Sequence, residues 1–267
     1  MRRVLALDLD GTLTTSDKRV TTRTKEVLRR MQALGHIVVL ASGRPVHGAM
    51  PVAEELNLQK SGGYLISYNG AVILDCRTGE YLHRETLPEE LVREVFELAD
   101  ELGMGMMFYQ RRGIVAGIRH NEHMEYASKI NHLEIIHSEN PLELMMEPVS
   151  KCLGTVSEEM APQVTEVFRE KFGDRATVIR SEPFFVEVLP RGADKAQGLA
   201  VLLEKLGISR ENVIACGDGF NDISMVRYAG LGVAMANAQE PVKEAADIVT
   251  LSNDEDGVAR VVEEYLL

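Results

Sequence analysis

The chain has 267 residues, of which 45% are hydrophobic and 26% are charged, and its net charge is −12. This composition excludes a disordered chain, and the length allows one or two domains whose cores need no disulfide or structural metal. An acidic surface repels polyphosphate backbones, so we expect no nucleic-acid partner.

The cysteines and the N-terminus bear on the cellular compartment. Three cysteines lie far apart and form no CxxC pair, which is typical of a reducing compartment. No apolar run approaches the roughly 20 residues that a membrane span needs. The apolar stretch at the N-terminus is short and is interrupted by Asp8 and Asp10, which argues against a signal peptide. We expect a cytoplasmic protein with no membrane partner.

Strand and helix patterns alternate in the first part of the chain. Short apolar runs bounded by acids or glycine predict buried strands, and apolar residues at helical spacing predict the helices between them. The dipeptide Asn69-Gly70 predicts a turn with a returning strand. The predicted elements are strands at 3–9, 36–41, 64–67 and 71–74, and helices at 22–34 and 45–56.

The last part of the chain repeats this alternation. An amphipathic helix beginning at Lys195 ends before Gly207, and the apolar run NVIAC predicts the next buried strand. The predicted elements are helices at 195–206, 222–228 and 241–246, and strands at 212–216, 230–234 and 248–250. Strands that alternate with helices predict parallel pairing, so the expected fold class is α/β with a doubly wound parallel sheet.

The middle of the chain has a different pattern. It contains two long predicted helices, 89–102 and 158–172, and six short strand-like runs with hairpin turns. We interpret it as an α+β domain inserted into the α/β domain. The predicted boundaries are 1–84 and 191–267 for the catalytic core, and 85–190 for an inserted cap that selects the substrate.

Polar motifs follow the predicted parallel strands. DLDGT begins at Asp8, SGR at Ser42 and GDGFND at Gly217, while Lys195 opens the helix after the insertion. The carboxyl ends of the strands of a doubly wound sheet line one crevice, so these distant residues are expected to converge.

The residue types in these motifs indicate a particular chemistry. Clustered carboxylates repel one another by about 4 kcal/mol per pair at 4 Å unless a cation neutralises them. Oxygen ligands suit Mg²⁺, and glycine-rich turns let backbone N–H groups approach phosphate oxygens. Ser42 and Lys195 add donors. Such a set predicts phosphoryl transfer.

The same motifs carry a family resemblance. DLDGT, SGR, Lys195 and GDGFND resemble the four signature motifs of the haloacid dehalogenase (HAD) superfamily. Their order and the insertion resemble the Cof-type phosphatases with a type IIB cap, and most closely the sugar phosphatases among them. SYNGA, GVAMANA and NDEDGVA support the resemblance, which covers nearly the whole chain.

The resemblance implies a role for each matching residue. Asp8 matches the nucleophile that becomes an aspartyl phosphate, and Asp10 matches the general acid/base. Mg²⁺ would be held by Asp8, the main-chain oxygen of Asp10, and Asp218, with Asp222 supporting them. The implied phosphate-binding residues are Leu9 through its main chain, Ser42, Gly43, Lys195 and Asn221. Arg44 is interpreted equally well as a substrate contact or as a surface ion pair.

The expected function is Mg²⁺-dependent hydrolysis of small phosphomonoesters, notably sugar phosphates, by a monomer or small homo-oligomer. A sugar phosphomutase is an alternative, as is a non-enzymatic, receiver-like switch that is phosphorylated on Asp8. The second acid and the cap argue against the switch. His120 and His123, in HNEH, have a spacing found in metal sites, but no matching carboxylate or cysteine spacing follows. We expect them to lie on a solvated surface.

Overall fold

The computed structural model describes residues 2–267, and these divide into two compact units. One unit comprises the described residues up to His83 together with Asp194–Leu267, and the other is Arg84–Ala193. No helix among residues 2–267 combines the length and the apolar character that crossing a membrane requires.

The elements of the first segment follow the predicted alternation. They are β1 (Val4–Leu7), α1 (Thr22–Ala33), β2 (Ile37–Ala41), α2 (Val46–Glu55), α3 (Leu58–Ser61), β3 (Gly63–Ser67), β4 (Val72–Asp75) and β5 (Tyr81–Arg84). The predicted turn at Asn69-Gly70 is confirmed, since β3 and β4 pair in antiparallel register on either side of it.

The second unit is α+β. Its elements are α4 (Glu89–Glu101), β6 (Gly105–Gln110), β7 (Gly113–Ala116), α5 (Glu122–Asn131), β8 (Ile135–His137), β9 (Cys152–Thr155), α6 (Ala161–Phe172), β10 (Ala176–Ile179) and β11 (Phe185–Pro190). The six strands form one sheet in the order β10-β11-β9-β6-β7-β8, in which only β7 and β8 pair in parallel. Helices α4 and α6 bury their apolar faces against one side of this sheet.

The last segment returns to the first unit. Its elements are α7 (Lys195–Leu206), β12 (Val213–Gly217), α8 (Ile223–Tyr228), β13 (Leu231–Ala234), α9 (Glu240–Ala245), β14 (Ile248–Val249) and α10 (Gly257–Tyr265). The sheet order is β14-β13-β12-β1-β2-β3-β4-β5, and the six strands from β14 to β3 are parallel.

Alternate residues of β1 explain why helices cover both faces of this sheet. Leu5 and Leu7 lie in a core that includes side chains of α1 and α10, whereas Val4 and Ala6 lie in a second core with side chains of α7. All four residues are fully buried, as expected for a central parallel strand. This arrangement confirms the predicted doubly wound α/β fold with an inserted α+β region.

Candidate active site

The site is built where β1, β2 and β12 end side by side. Leu7, the last residue of β1, lies in register with Leu40 of β2 and Cys216 of β12. The loops that follow these strands therefore begin next to one another. The amide of Asp8 donates to the carbonyl of Cys216 (3.1 Å), which extends the ladder into the site.

Lys195 joins two of these loops. Its Nζ donates to Asp8 Oδ1 and to Asp222 Oδ1, each at 2.6 Å. The Lys195 side chain is fully buried, and that of Asp222 is 1% exposed. The other oxygen of Asp222 accepts the amides of Asp218 (3.0 Å) and Gly219 (2.9 Å). Asp222 therefore fixes both the ammonium group and the backbone of the GDGFND loop.

Burial and charge shift the pKa values in this group. Burial raises the pKa of Asp8 well above its usual range, and the negative charge of Asp222 adds to this despite the opposing charge of Lys195. Burial alone would lower the pKa of Lys195, but Asp222 and Asp8 raise it above its usual value. Lys195 is therefore a permanent cation between two acids.

A third acid completes the cluster. One carboxylate oxygen from each of Asp8, Asp218 and Asp222 lies within 4.8 Å of the others. Burial raises the pKa of Asp218 to about 6, although the hydroxyl of Thr12 donates to its Oδ1 (2.7 Å) and opposes the shift. Three carboxylates against the single Lys195 charge leave an excess of negative charge. An oxygen-only, anionic donor set of this kind fits Mg²⁺.

Glycine is required beside these acids. Gly11 has a φ of +86°, and a Cβ at this position would lie 2.4 Å from Asp218 Oδ2. A side chain at Gly11 would therefore strain the backbone and displace the Asp218 carboxylate.

Asp10 lies in a separate cationic environment. The Arg44 Nε donates to Asp10 Oδ2 (2.7 Å), and its Nη2 donates to Oδ1 (2.6 Å). Lys18, which the sequence did not single out, also donates to Oδ1 at 2.7 Å. Burial by itself would raise the pKa of Asp10, but the hydrogen bond and charge of Arg44, with Lys18, lower it overall. Arg44 therefore forms an ion pair with Asp10, in which the Arg44 side chain is 13% exposed and the Asp10 side chain 34% exposed.

The SGR loop is supported by an unpredicted residue, Asn69. The backbone N–H of Asn69 donates to the Ser42 carbonyl (3.1 Å), and the side-chain Oδ1 of Asn69 accepts a hydrogen bond from Asn221 Nδ2 (3.0 Å). A Cβ on Gly43 would lie 3.2 Å from the side-chain amide of Asn69, so glycine at position 43 allows the Asn69 side chain to lie close to the backbone of the SGR loop. The Ser42 hydroxyl accepts the Arg44 amide (3.1 Å). Asn69 lies in the SYNGA stretch, which is the sequence signal that could have identified it.

The loop after Asp8 is held from the C-terminal part of the chain. Asn237 Nδ2 donates to the Gly11 carbonyl (2.8 Å), and Asn253 Nδ2 donates to the Thr14 carbonyl (2.9 Å). The Asn253 amide donates to Asn237 Oδ1 (3.0 Å), which couples the two. Leu9 is fully buried, and its carbonyl accepts the Thr14 amide (2.9 Å) and hydroxyl (2.8 Å). GVAMANA and NDEDGVA therefore supply the residues that shape this loop.

Comparisons with known proteins agree with this geometry. The family model described as haloacid dehalogenase-like hydrolase matches residues 5–262, so the chain belongs to that family. The chain is 30% identical to 5-amino-6-(5-phospho-D-ribitylamino)uracil phosphatase YitU of Bacillus subtilis, over 98% of this chain and 97% of that protein. A crystal structure of a haloacid dehalogenase-like hydrolase from Bacteroides thetaiotaomicron is 42% identical, with a TM-score of 0.94 over 99% of both chains.

A further solved structure concerns the subclass. The HAD subclass IIB sugar phosphatase BT4131 is 27% identical, with a TM-score of 0.81 over 98% of both chains. The expected membership of the Cof-type, type IIB group is confirmed. The protein is a phosphatase of this family.

Proposed function

We propose that the protein is an Mg²⁺-dependent phosphatase that hydrolyses sugar phosphates and related small phosphomonoesters through an aspartyl phosphate on Asp8. The contact that carries the proposal is Lys195 between Asp8 and Asp222, with Asp218 completing the acidic cluster. Asp8, the main-chain oxygen of Asp10, and Asp218 would hold Mg²⁺. When bound, Mg²⁺ supplies positive charge that offsets repulsion between these carboxylates and the substrate phosphate.

In the first step, a carboxylate oxygen of Asp8 bonds to phosphorus while the bond from phosphorus to the leaving oxygen breaks. Lys195 orients Asp8 through Oδ1 and offsets its charge as the phosphate dianion approaches. Asp10 gives its proton to the leaving alkoxide. In the second step, Asp10 takes a proton from water as that water attacks phosphorus, and Asp8 and inorganic phosphate are released.

This order of proton transfers requires that Asp10 carry a proton when the leaving group departs. A proton donor must carry a proton, whereas the contacts from Arg44 and Lys18 favour the ionised carboxylate. We infer that these contacts loosen in the substrate complex, where the phosphate offers both cations another anionic partner. Leu9 through its main chain, Ser42, Gly43, Lys195 and Asn221 are the proposed phosphate-binding residues.

The substrate class and the role of the inserted unit belong to the same proposal. We propose that Arg84–Ala193 acts as the cap and selects the leaving group, and that the rest of the chain is catalytic. The subclass IIB sugar phosphatase and the phosphoribityl phosphatase among the relatives support sugar phosphates. We place the protein in the cytoplasm, because all three cysteines are free and buried.

The test measures phosphate release from sugar phosphates, nucleotides and other monoesters, with Mg²⁺ or with chelator. Asp8→Asn should abolish release, whereas Asp174→Asn, an exposed control, should retain it. Chelation should stop release and Mg²⁺ should restore it. Full activity of the Asp8 variant would refute the nucleophile, and full activity in chelator would refute the metal requirement. Isomerised sugar phosphate without free phosphate would identify a mutase instead.

A further inference from the structure

A histidine pair on the inserted unit consists of residues that have no role in the site described above. His120 Nδ1 and His137 Nε2 are 3.0 Å apart, although the residues are 17 positions apart in the chain. His137 ends the edge strand β8, and His120 precedes α5. His120 and His123 of the HNEH motif were expected to lie on a solvated surface. His120 is exposed, as is His137, whereas His123 is only partly exposed. Their proximity had no sequence signal, because His137 lies outside that motif.

The outer nitrogen of each ring already has an acceptor. His120 Nε2 lies 3.0 Å from Glu125 Oε1, and His137 Nδ1 lies 2.9 Å from the carbonyl of Gly117. A carboxylate and a carbonyl only accept hydrogen bonds, so each outer nitrogen carries the N–H. In the two neutral rings, the inner nitrogens then present lone pairs to each other.

Two lone pairs that face each other repel, so this arrangement is stable only with a cation between the two nitrogens. A histidine ligand to a metal characteristically donates its other ring N–H to a carboxylate or a backbone carbonyl, and Glu125 and Gly117 provide one of each. With metal–nitrogen distances of about 2.05 Å, the observed spacing of 3.0 Å corresponds to a nitrogen–metal–nitrogen angle of about 94°. That angle suits adjacent positions in the square-planar or octahedral geometry of Cu²⁺ or Ni²⁺.

We propose that His120 and His137 form a two-histidine site for a divalent transition metal ion, with water completing the coordination. Glu125 and the Gly117 carbonyl orient the two rings. The site is independent of the acidic cluster, because imidazole nitrogens favour transition metals whereas the carboxylates favour Mg²⁺. A bound ion would join the edge strand β8 to the segment before α5.

Isothermal titration with Ni²⁺ tests the proposal, with excess Mg²⁺ present to occupy the acidic cluster. One Ni²⁺ should bind per chain, and His120→Ala and His137→Ala should each weaken binding at least tenfold. His123→Ala is the matched control, because the His123 ring stacks on Phe184 at a centroid distance of 4.1 Å rather than joining the pair. The control should bind Ni²⁺ like the parent.

Two results would overturn the site. If the parent protein takes up no Ni²⁺ at millimolar concentration, only a proton bridges the two rings. If the His120 and His137 variants bind as tightly as the parent, the ion lies elsewhere. Both variants alter exposed side chains, and their thermal unfolding without metal should match that of the parent, which separates lost binding from lost folding.

Discussion

Replacing Lys195 by methionine tests whether this ammonium group compensates the buried acids. Each Lys195–carboxylate contact, at 2.6 Å, corresponds to about 6 kcal/mol of attraction at an effective dielectric of 20. Much of this attraction offsets the cost of burying the three charges. The net loss on removing one partner of a buried pair is about 3–5 kcal/mol, because the remaining charge is left without compensation. We expect Lys195→Met to lower the free energy of unfolding by about this amount in the absence of Mg²⁺.

The assay is urea unfolding in the presence of chelator, monitored by circular dichroism. The decisive comparison is between Lys195→Met alone and the double variant that combines Lys195→Met with Asp222→Asn. The asparagine keeps an oxygen that can accept the amides of Asp218 and Gly219, but it removes one buried negative charge. If uncompensated charge causes the loss, the double variant should be more stable than Lys195→Met alone. A double variant that is less stable than the single one would refute this reasoning. So would a loss below about 1 kcal/mol for Lys195→Met, the range expected for an exposed pair.

Four further predictions follow from the contacts and burial of particular residues in the two units. Gly70→Ala should destabilise the protein by more than about 1 kcal/mol in urea unfolding, because φ is +106° and a Cβ would lie 2.1 Å from the Asp194 carbonyl oxygen; unchanged stability would contradict the close approach. Asn253→Ala should cost about 1–3 kcal/mol on the same measure, since it leaves the buried Thr14 carbonyl without this donor, and a neutral variant would disprove the coupling. In chelator, the contribution of Asp218 to stability should fall as pH rises from about 4 to 6, because its pKa is raised to about 6 in the folded state and folding therefore binds a proton in this pH range. Saturating Mg²⁺ should abolish this pH dependence, and an unchanged pH dependence with Mg²⁺ would refute the prediction. All three cysteine thiols are buried with raised pKa values, so a thiol reagent at pH 8 should label them only after unfolding, and rapid labelling of the native protein would contradict this.

Local pattern was sufficient for most of the fold. Residues 4–7 and 37–41 are all apolar, because both faces of a central parallel strand are buried. Such a run of consecutive apolar residues can be recognised in the sequence alone. Three helices were not predicted: α3, which spans the four residues Leu58–Ser61, α5 and α10. In α10, several valines occupy the buried face, and β-branched residues are poor indicators of helix. In α5, only Met124, Ala127 and Asn131 are buried, so its apolar periodicity is weak.

The sequence by itself determined which chemical groups stand at the ends of the parallel strands, because strand ends and glycine-rich turns are local features. It placed Asp8, Asp218 and Lys195 in motifs whose convergence follows from the doubly wound topology. Only the tertiary structure decided the partners of those groups. Lys18 donates a hydrogen bond to Asp10 at 2.7 Å. Packing likewise brings the ring nitrogens of His120 and His137, which belong to no predicted site, to within 3.0 Å of each other. The spacing of apolar residues specifies which face of a helix or strand is buried. It does not specify which side chains approach one another to hydrogen-bonding distance.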